Sequence, residues 1–248
     1  MHNNRKKECL FTMSTDDGHP SDIKIAELLD KHNLNGTFFV PIKNREGRDV
    51  LSNQQLRNIG KQFEIGSHTY DHRYLENIRI ADAYFQITQG KTCLEDVLGM
   101  AVPGFCYPGG KYRREHIDMI RSAGFEYART NTNLFFGPGK GPYEMGTTIQ
   151  FYPHNKMTYF RNFVWAGDWN IRQDALRLAL TKDDWLERLY CLFEWSCEHE
   201  KQFHLWTHSW EVDSLNAWSA LDRFLAHVSN RIPVEGRLTS GQIATRFY

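Results

Sequence analysis

The fold is decided by an apolar run that ends in two carboxylates and a glycine, Leu10-Phe11-Thr12-Met13-Ser14-Thr15-Asp16-Asp17-Gly18. The run predicts a β-strand, and the Asp-Gly pair is a common turn signal. Residues 22–32 follow with apolar side chains at helical spacing, which completes a strand-turn-helix unit. Adjacent carboxylates at a buried strand end repel each other unless a cation or a proton lies between them. Asp16 and Asp17 are therefore candidates for cation binding and base catalysis, with a solvated turn as the simpler alternative.

The same alternation of strand and helix continues along the chain. Short β-rich runs predict further strands at 36–40, 63–67, 104–107, 127–130 and 203–207. Helical patterns occur at about 52–60, 80–98, 113–123, 184–199 and 216–230. Gly90 weakens the second of these helices, and Ser52 with Gln55 forms a capping-box pattern at the start of the first. Such alternation implies parallel strands joined by right-handed crossovers, and about six or seven strands fit a barrel-like α/β domain.

Regular patterning is lost between about residues 131 and 170. This stretch is rich in turn residues, which include Gly137, Pro138, Gly139, Gly141 and Pro142. We predict an irregular insertion here, and such long stretches in compact domains are often functional. The sequence contains no internal repeat, and no linker marks a second domain. Residues 1–248 are therefore predicted to form a single domain.

Composition excludes several classes of protein. The 248 residues are 41% hydrophobic and 24% charged, which rules out wholesale disorder. Thirty basic residues balance thirty acidic ones, and this argues against a nucleic-acid partner. No apolar run reaches the roughly 18 residues of a membrane span. The five cysteines include no CxxC pair, so a disulfide framework and a thiolate zinc site are not expected. No secretion signal is evident in Met-His-Asn-Asn-Arg-Lys-Lys-Glu, so a cytoplasmic location is expected.

Polar groups that can bind ligands follow four of the predicted strands. They are Asp16-Asp17-Gly18, His68-Thr69-Tyr70-Asp71-His72, Tyr107-Pro108-Gly109-Gly110 and Thr207-His208-Ser209. Ligands of parallel α/β folds bind at the carboxyl ends of the strands. We therefore expect these groups to gather at one end of the sheet.

Two histidines and a carboxylate form the strongest candidate for a metal site. His68 and His72 are four residues apart and can converge on a tight loop or on one helix face. Together with an aspartate they leave coordination positions open for water, as catalytic metal sites do. Asp71 lies between them and could either orient an imidazole or cap a helix.

The last predicted strand offers a candidate acid. His208 lies at its carboxyl end and could donate a proton to a leaving group, whereas His204 lies inside the strand and is predicted to be a core residue. Trp169, Trp206 and Trp210 flank the expected site. Their apolar faces suit sugar rings, and packing in the core is an equal alternative.

These motifs resemble, in order, those of the NodB-homology polysaccharide deacetylases, carbohydrate esterase family four. Ser14-Thr15-Asp16-Asp17-Gly18 resembles the family's Thr-Phe-Asp-Asp-Gly, and His68-Thr69-Tyr70-Asp71-His72 resembles His-Ser/Thr-x-x-His. Gly36-Thr37-Phe38-Phe39-Val40 resembles the Ala-Thr-Phe-Phe-Val strand. Cys106-Tyr107-Pro108-Gly109-Gly110 corresponds loosely to Arg-x-Pro-Tyr-Gly, and Leu205-Trp206-Thr207-His208 to the late Leu-x-x-His motif.

The resemblance implies a distorted (β/α)7 barrel that removes N-acetyl groups from an N-acetylated sugar, oligosaccharide or polysaccharide. It implies one divalent ion, zinc or alternatively cobalt or manganese, held by Asp17, His68 and His72. Asp16 would be the general base that activates water, and His208 would protonate the departing amine. A backbone N–H near Gly109 would stabilise the oxyanion, with Tyr107 and Pro108 beside it.

The sequence departs from the family pattern at three places, the first being Thr15, where the family has phenylalanine before the two aspartates. Cys106 stands where many members have an arginine that steadies the base. Asp168-Trp169 is the match to the fourth motif, and a pairing of Asp168 with His208 would raise the pKa of that histidine. Trp169 and Trp206 are expected to contact substrate. Two alternatives remain open: hydrolysis of a small non-sugar amide, and carbohydrate binding without turnover, which the Cys106 position favours.

Overall fold

A computed structural model describes residues 8–248. Most of the N-terminal stretch on which the expected absence of a secretion signal depends lies outside the described residues. None of the helices in the described range has the length and apolar character that crossing a membrane requires.

Seven strands form the centre of the fold. They are β1 (Leu10–Asp16), β2 (Thr37–Val40), β3 (Glu64–Ser67), β4 (Gly104–Cys106), β5 (Tyr127–Arg129), β6 (Ile149–Gln150) and β7 (Gln202–Thr207). Every neighbouring pair is parallel, and the order across the sheet is β5-β4-β3-β2-β1-β7-β6. This arrangement confirms the distorted (β/α)7 barrel.

Ten α-helices connect or flank these strands in the described part of the chain. They are α1 (Asp22–Lys31), α2 (Asn53–Gly60), α3 (Ile80–Leu98), α4 (Arg114–Ser122), α5 (Lys156–Ala166), α6 (Trp169–Thr181), α7 (Trp185–Glu198), α8 (Ser209–Ser214), α9 (Trp218–Arg231) and α10 (Ser240–Phe247). The capping box predicted at Ser52 and Gln55 is present, with each side chain accepting a hydrogen bond from the other residue's backbone N–H.

Gly90 does not interrupt its helix, which runs unbroken through it. A Cβ atom at this position would lie 2.8 Å from the carbonyl carbon of Thr69. Because real Cβ atoms do not approach that closely, glycine is what allows α3 to pack against the loop between His68 and His72.

The expectation of an irregular insertion at 131–170 is wrong in part, since β6 and α5 lie inside it, and α6 begins just before its end. Helix α5 buries Tyr159, whereas Met157, Phe160, Val164 and Trp165 are exposed. Met157, Phe160 and Val164 have helical spacing, but the face that they form is exposed and packs against no core. Between β5 and β6 the chain stays irregular and bonds to the sheet directly, with Met145 N–H donating to Ala128 O at 3.0 Å.

The apolar side chains divide between the two faces of the sheet. Phe11 and Phe203 stack at 6.3 Å in the main core, where Phe193 of α7 meets Phe203 edge-on at 5.4 Å. On the other face, Leu10, Phe39, Cys106 and other buried residues form a smaller cluster. Side chains alternate between the faces along a strand, so Asp16 shares the face of Leu10. The last residue of β1 therefore enters the interior of the barrel at its carboxyl end.

Candidate active site

One cavity at the carboxyl end of the barrel brings together the residues that the motifs singled out. Its volume is about 170 Å³, and its walls include Asp16, Asp17, His68, His72 and His208. These side chains come from the ends of β1, β3 and β7, which are far apart along the chain. Tyr107, Gly109 and Trp206 line the same cavity.

Asp17 lies against both histidines of the second motif. Its Oδ1 atom is 3.0 Å from His72 Nε2 and 3.7 Å from His68 Nε2. His68 donates from Nδ1 to the backbone oxygen of Cys106 at 2.8 Å, which leaves its Nε2 lone pair facing Asp17. Metal-binding histidines in proteins are oriented in this way.

These three residues fit a divalent ion. Asp17 Oδ1 is buried, and its contacts within residues 8–248 are the two imidazoles alone, His72 Nε2 at 3.0 Å and His68 Nε2 at 3.7 Å. A buried carboxylate oxygen left in this way is costly, and a cation would satisfy it. Two imidazole nitrogens and one carboxylate are also the donor set of catalytic zinc sites with an open position.

A second grouping, Asp16, His68 and Cys106, is close enough to bind a metal but fits less well. Burial raises the pKa of the Cys106 thiol well above its ordinary value, so the thiolate that a metal needs is disfavoured. Asp16, moreover, is already in contact with a buried guanidinium.

The electrostatics of the cluster keep its donors in the form that binds a metal. Burial lowers the pKa of His68 to about 4, so its imidazole is neutral at pH 7. Burial by itself would raise the pKa of Asp17, but the His72 hydrogen bond and the charges of His208 and His68 outweigh it. The pKa of Asp17 is therefore below its ordinary value, and the carboxylate is ionised.

The backbone around the cluster is strained. Asp17, Thr69 and His72 have φ values of +77°, +68° and +62°, in the left-handed region. Each such residue costs on the order of 1 kcal/mol, and strain of this kind clusters at functional sites. Tight packing against neighbours such as Gly90 holds the second-motif loop in this conformation.

Arg129 of β5 makes the contact with Asp16 that the resemblance led us to expect of an arginine at the Cys106 position. Its buried guanidinium donates from Nη2 to Asp16 Oδ1. Cys106 and Arg129 are paired residues on β4 and β5, and Cys106 Sγ is 3.7 Å from Asp16 Oδ2. The arginine that contacts Asp16 thus comes from the strand next to β4, in register with Cys106. Sequence reasoning missed it, although an arginine inside the apolar strand 127–130 was a signal, because charged residues are rarely fully buried unless paired.

The partner of His208 is Glu211, and the expected pairing with Asp168 is wrong. His208 Nδ1 is 2.9 Å from Glu211 Oε2, whereas Asp168 contacts Lys140 at 2.6 Å. Burial opposes the charged imidazolium, but Glu211 and Asp17 raise the pKa of His208 to about 9. The side chain therefore carries a proton at neutral pH. The signal in the sequence was the spacing of three residues, because the N-cap position of a helix, here His208 of α8, lies close to the third helical residue, Glu211.

The tryptophans divide into two groups. Trp206 lines the cavity, and Trp210 donates from Nε1 to Asp17 Oδ2 at 3.0 Å. The Arg48 guanidinium lies 4.1 Å from the ring centroid of Trp210 and closes that side. Trp169 is exposed, donates to the Phe163 backbone oxygen and does not line this cavity, so the expectation that it contacts substrate there is wrong.

The third motif forms a 3-10 turn, Pro108–Gly110, at the cavity wall. Gly109 has a φ of +60°, and a Cβ atom on it would lie 3.1 Å from the Tyr74 ring, so the position favours glycine. Pro108 is buried and does not line the cavity. Tyr107 is also buried and donates from its hydroxyl to the Tyr143 backbone oxygen at 3.1 Å. The oxyanion role of the Gly109 N–H stays a prediction.

Two further polar residues of the motifs have structural partners. Asp71 contacts Arg73 at 3.2 Å through its carboxylate and accepts no hydrogen bond from either histidine of the cluster. His204 is buried inside β7, as expected of a core residue, with Nε2 2.9 Å from Ser14 Oγ. Neither side chain lines the cavity.

Comparison with known proteins gives this arrangement a family. Residues 3–128, just over half of the chain, match the family model described as polysaccharide deacetylase. The chain belongs to the polysaccharide deacetylase family. The match confirms the resemblance to the NodB-homology proteins. The matched region includes both Asp16-Asp17-Gly18 and the two histidines.

Relatives of this deacetylase-family chain include two curated proteins. It is 31% identical over 98 residues to YlxY of Bacillus subtilis, an uncharacterized protein, covering 39% of this chain and 29% of that protein. It is 29% identical over 117 residues to the chitooligosaccharide deacetylase of Azorhizobium caulinodans, covering 44% of this chain and 52% of that one. The chain thus spans about half or less of the length of each.

A solved structure shows the same fold. The structure of a candidate polysaccharide deacetylase from Mycobacterium smegmatis matches with a TM-score of 0.69. The sequences are 18% identical, and the match covers 99% of this chain and 92% of that one. At this identity the likeness establishes the architecture.

Proposed function

We propose that this protein is a metal-dependent hydrolase that removes N-acetyl groups from an N-acetylated carbohydrate. The observation that carries the proposal is the single cavity in which Asp16 and His208 lie beside the Asp17, His68 and His72 cluster. The family assignment supports it, as does the relative named as a chitooligosaccharide deacetylase.

Asp17, His68 and His72 would hold the divalent ion, with zinc, cobalt and manganese as the candidates. An ion bound there supplies Lewis acidity, which polarises the amide carbonyl and makes water a better nucleophile near neutral pH. Trp210 keeps Asp17 in place by donating to its other carboxylate oxygen. Asp17 is thus held by groups on both sides.

Asp16 is the general base of the proposed reaction. Arg129 fixes its Oδ1 atom, and the buried position keeps the carboxylate from rotating into solvent. Water loses a proton to Asp16 as its oxygen bonds to the carbonyl carbon of the acetamido group. Arg129 is a positioning residue in this scheme, because it acts through Asp16.

His208 is the general acid. Its pKa of about 9 keeps it protonated at neutral pH, and Glu211 holds the imidazole through Nδ1. The proton passes to the nitrogen as the carbon–nitrogen bond breaks, so the products are acetate and an amine. Before the next turnover His208 has to gain a proton, and Asp16 has to release the one that it took from water.

The alternative of binding without turnover rested on Cys106. That argument loses its basis, because Arg129 contacts Asp16 from the neighbouring strand. A small non-sugar amide as substrate remains the competing proposal, and an assay separates it from the sugar.

The deciding experiment is acetate release from N,N′-diacetylchitobiose and longer chitooligosaccharides, with the purified protein reconstituted with zinc, cobalt or manganese. We expect turnover that a chelator abolishes and that the metal restores. Release from small N-acetylated amines but not from the sugars would favour the competing substrate class, and no release from either would contradict the proposal.

Asp16→Asn tests the base in the same assay. The turnover rate is expected to fall about a thousandfold, while the metal content stays near one ion, because Asp16 is not among the proposed ligands. Asp82→Asn, an exposed carboxylate on α3, serves as the control and should change neither quantity. An Asp16→Asn protein with an unchanged rate would falsify the assignment of the base.

A further inference from the structure

A second cavity opens directly beside the first. Its volume is about 520 Å³, and Gly109, Asn131 and Trp206 line both cavities. Most of its remaining wall comes from residues 132–172, beyond the region that the family model matches. A molecule with its acetamido group in the first cavity would therefore extend into the second.

The walls of the two cavities differ in charge. Asp16, Asp17 and Glu46 line the first, whereas no carboxylate of the described residues lines the second. The ionisable side chains that line the second are Lys111, His154, Arg161 and Arg172. A cleft lined by charges of one sign concentrates ligands of the opposite sign.

Arg172 is a buried cation whose contacts are all neutral. Its guanidinium donates to the backbone oxygens of Asn133 at 2.8 Å and Gly167 at 2.7 Å, and its other acceptors are also uncharged. It forms no ion pair within residues 8–248, and the nearby Asp168 pairs with Lys140. The charge of Asp168 offsets that of Arg172 only in part, because the effect of burial outweighs it, so an anion in this cavity would stabilise Arg172 further.

Two longer side chains at the cavity are available to a ligand. Arg161 of α5 is exposed and forms no ion pair with any residue that the structure describes. Lys111 has only a loose contact with Glu76, at 3.9 Å. An arginine can bind a carboxylate or phosphate through two parallel hydrogen bonds, which makes Arg161 the natural anchor for an anion.

The rim also carries an aromatic surface. Trp165 lies four residues after Arg161, on the same side of α5, and is 85% exposed. A tryptophan with so much exposed apolar surface suits stacking against a sugar ring. The cavity thus combines a stacking surface with two cations, Arg161 and Lys111, that have at most a loose ion pair within residues 8–248.

We propose that the second cavity binds a sugar unit next to the acetylated one, and that this unit carries an anionic substituent, a carboxylate or a phosphate. The inference depends on the proposed function, because it takes the first cavity as the place where the acetamido group lies. Arg161 and Lys111 are the residues that select the anion.

The test compares matched disaccharides by calorimetry, at low salt and with the metal-loaded protein. The probes are glucuronic acid linked to N-acetylglucosamine, its neutral methyl ester, and N,N′-diacetylchitobiose with and without a phosphate. We expect at least one anionic probe to bind about tenfold more tightly than its neutral counterpart. Whichever anion shows the preference identifies the substituent. Equal binding of charged and neutral probes in both pairs would overturn the proposal.

A variant pair connects the preference to the residues. The double variant Arg161→Gln with Lys111→Gln should reduce the preference to less than about twofold. Lys156→Gln is the matched control, because Lys156 begins the same helix but pairs with Asp183 outside the cavity. A preference that survives the double variant would refute the roles of Arg161 and Lys111.

Acetate release from the same probes separates the two proposals. Preferential binding of an anionic probe without acetate release from any probe would contradict the proposed function and leave the binding site standing. Equal acetate release from charged and neutral probes, with equal affinities, would keep the function and remove the site.

Discussion

The family-matched part of the chain, residues 3–128, and the part that follows contribute different things to one cavity. The first part supplies Asp16, Asp17, His68 and His72, which are the proposed base and metal ligands. The second supplies His208, together with the residues that hold the base and the acid, Arg129 and Glu211. The reactive groups therefore belong mostly to the matched region, and the side chains that hold the proposed base and acid lie outside it.

The difference shows that the sequence motifs contain the residues that react but not all of the residues that hold them in position. A ligand or base has to project from one strand end, whereas any neighbouring element can supply the guanidinium or carboxylate that holds it. Arg129 illustrates this, because it reaches Asp16 from the strand beside Cys106. The three predictions below test how far the first part depends on the second.

The largest effect is expected at Arg129. Arg129→Cys leaves Asp16 buried without its counter-charge and should lower the turnover rate by about a hundredfold, because the base is no longer held in position. Removing one partner of a buried ion pair also destabilises by about 3–5 kcal/mol. The rate is measured by acetate release, and folding by circular dichroism.

The exchange variant Cys106→Arg with Arg129→Cys gives the sharper comparison. The two positions are paired on adjacent strands, and Cys106 Sγ already lies 3.7 Å from Asp16 Oδ2. An arginine at either position should reach Asp16, so the exchange is expected to recover most of the lost rate and stability. Failure of a folded exchange variant to regain any activity would mean that the two strands are not equivalent supports.

A smaller effect is expected at Glu211, and it depends on pH. His208 keeps its proton up to its pKa of about 9, because Glu211 and Asp17 raise that pKa against the effect of burial. Glu211→Gln should move the alkaline limb of the rate profile towards pH 6.5, the ordinary pKa of histidine, with about a thirtyfold loss at pH 8. The rate near pH 6 should change little.

The pH profile of acetate release between pH 5 and 10 checks this prediction. Asp213→Asn, on the same short helix, is the control and should leave the profile in place, since Asp213 contacts Ser21, Lys24 and Trp218 instead. A Glu211→Gln profile with its alkaline limb still near pH 9 would show that Glu211 does not set the pKa of His208.

The smallest effect concerns Asp22, a third carboxylate near the end of β1. Burial raises its pKa to about 8, with the charges of Asp17 and Asp16 acting in the same direction. The folded protein therefore holds a proton between pH 4 and 8 that the unfolded chain releases, so stability falls as pH rises through this window. Asp22→Asn removes the titration and keeps an oxygen that can accept from the Thr15 hydroxyl.

Urea unfolding of both proteins at pH 5, 6 and 7 measures the effect. The stability of Asp22→Asn relative to the unaltered protein should increase by about 1 kcal/mol for each pH unit. A constant difference would indicate that Asp22 is ionised in the folded state. The negative charges of Asp16, Asp17 and Asp22 would then have to be balanced by more than Arg129 and the histidines.

Most strands and several helices could be predicted from the sequence, because local apolar patterns indicate where they lie. Apolar runs of four to seven residues located β1, β2, β3 and β7, and helical spacing located α1, α3 and α9. Helix α5 was missed, although Met157, Phe160 and Val164 have helical spacing, because it lies in a stretch whose turn residues indicated an irregular insertion. Trp169 misled because its place in the sequence does not reveal whether its ring faces a cavity.

The sequence by itself determined that Asp16, Asp17, His68, His72 and His208 follow strands, and parallel strands present their carboxyl ends together. Only the tertiary structure decided that Arg129 holds Asp16, that Glu211 rather than Asp168 holds His208, and that a cationic cavity adjoins the first. The physical reason is that strand periodicity fixes where a side chain emerges, whereas a partner from another strand, such as Arg129 for Asp16, is fixed by lateral distances across the sheet. Those distances depend on strand order and register, which no local pattern encodes.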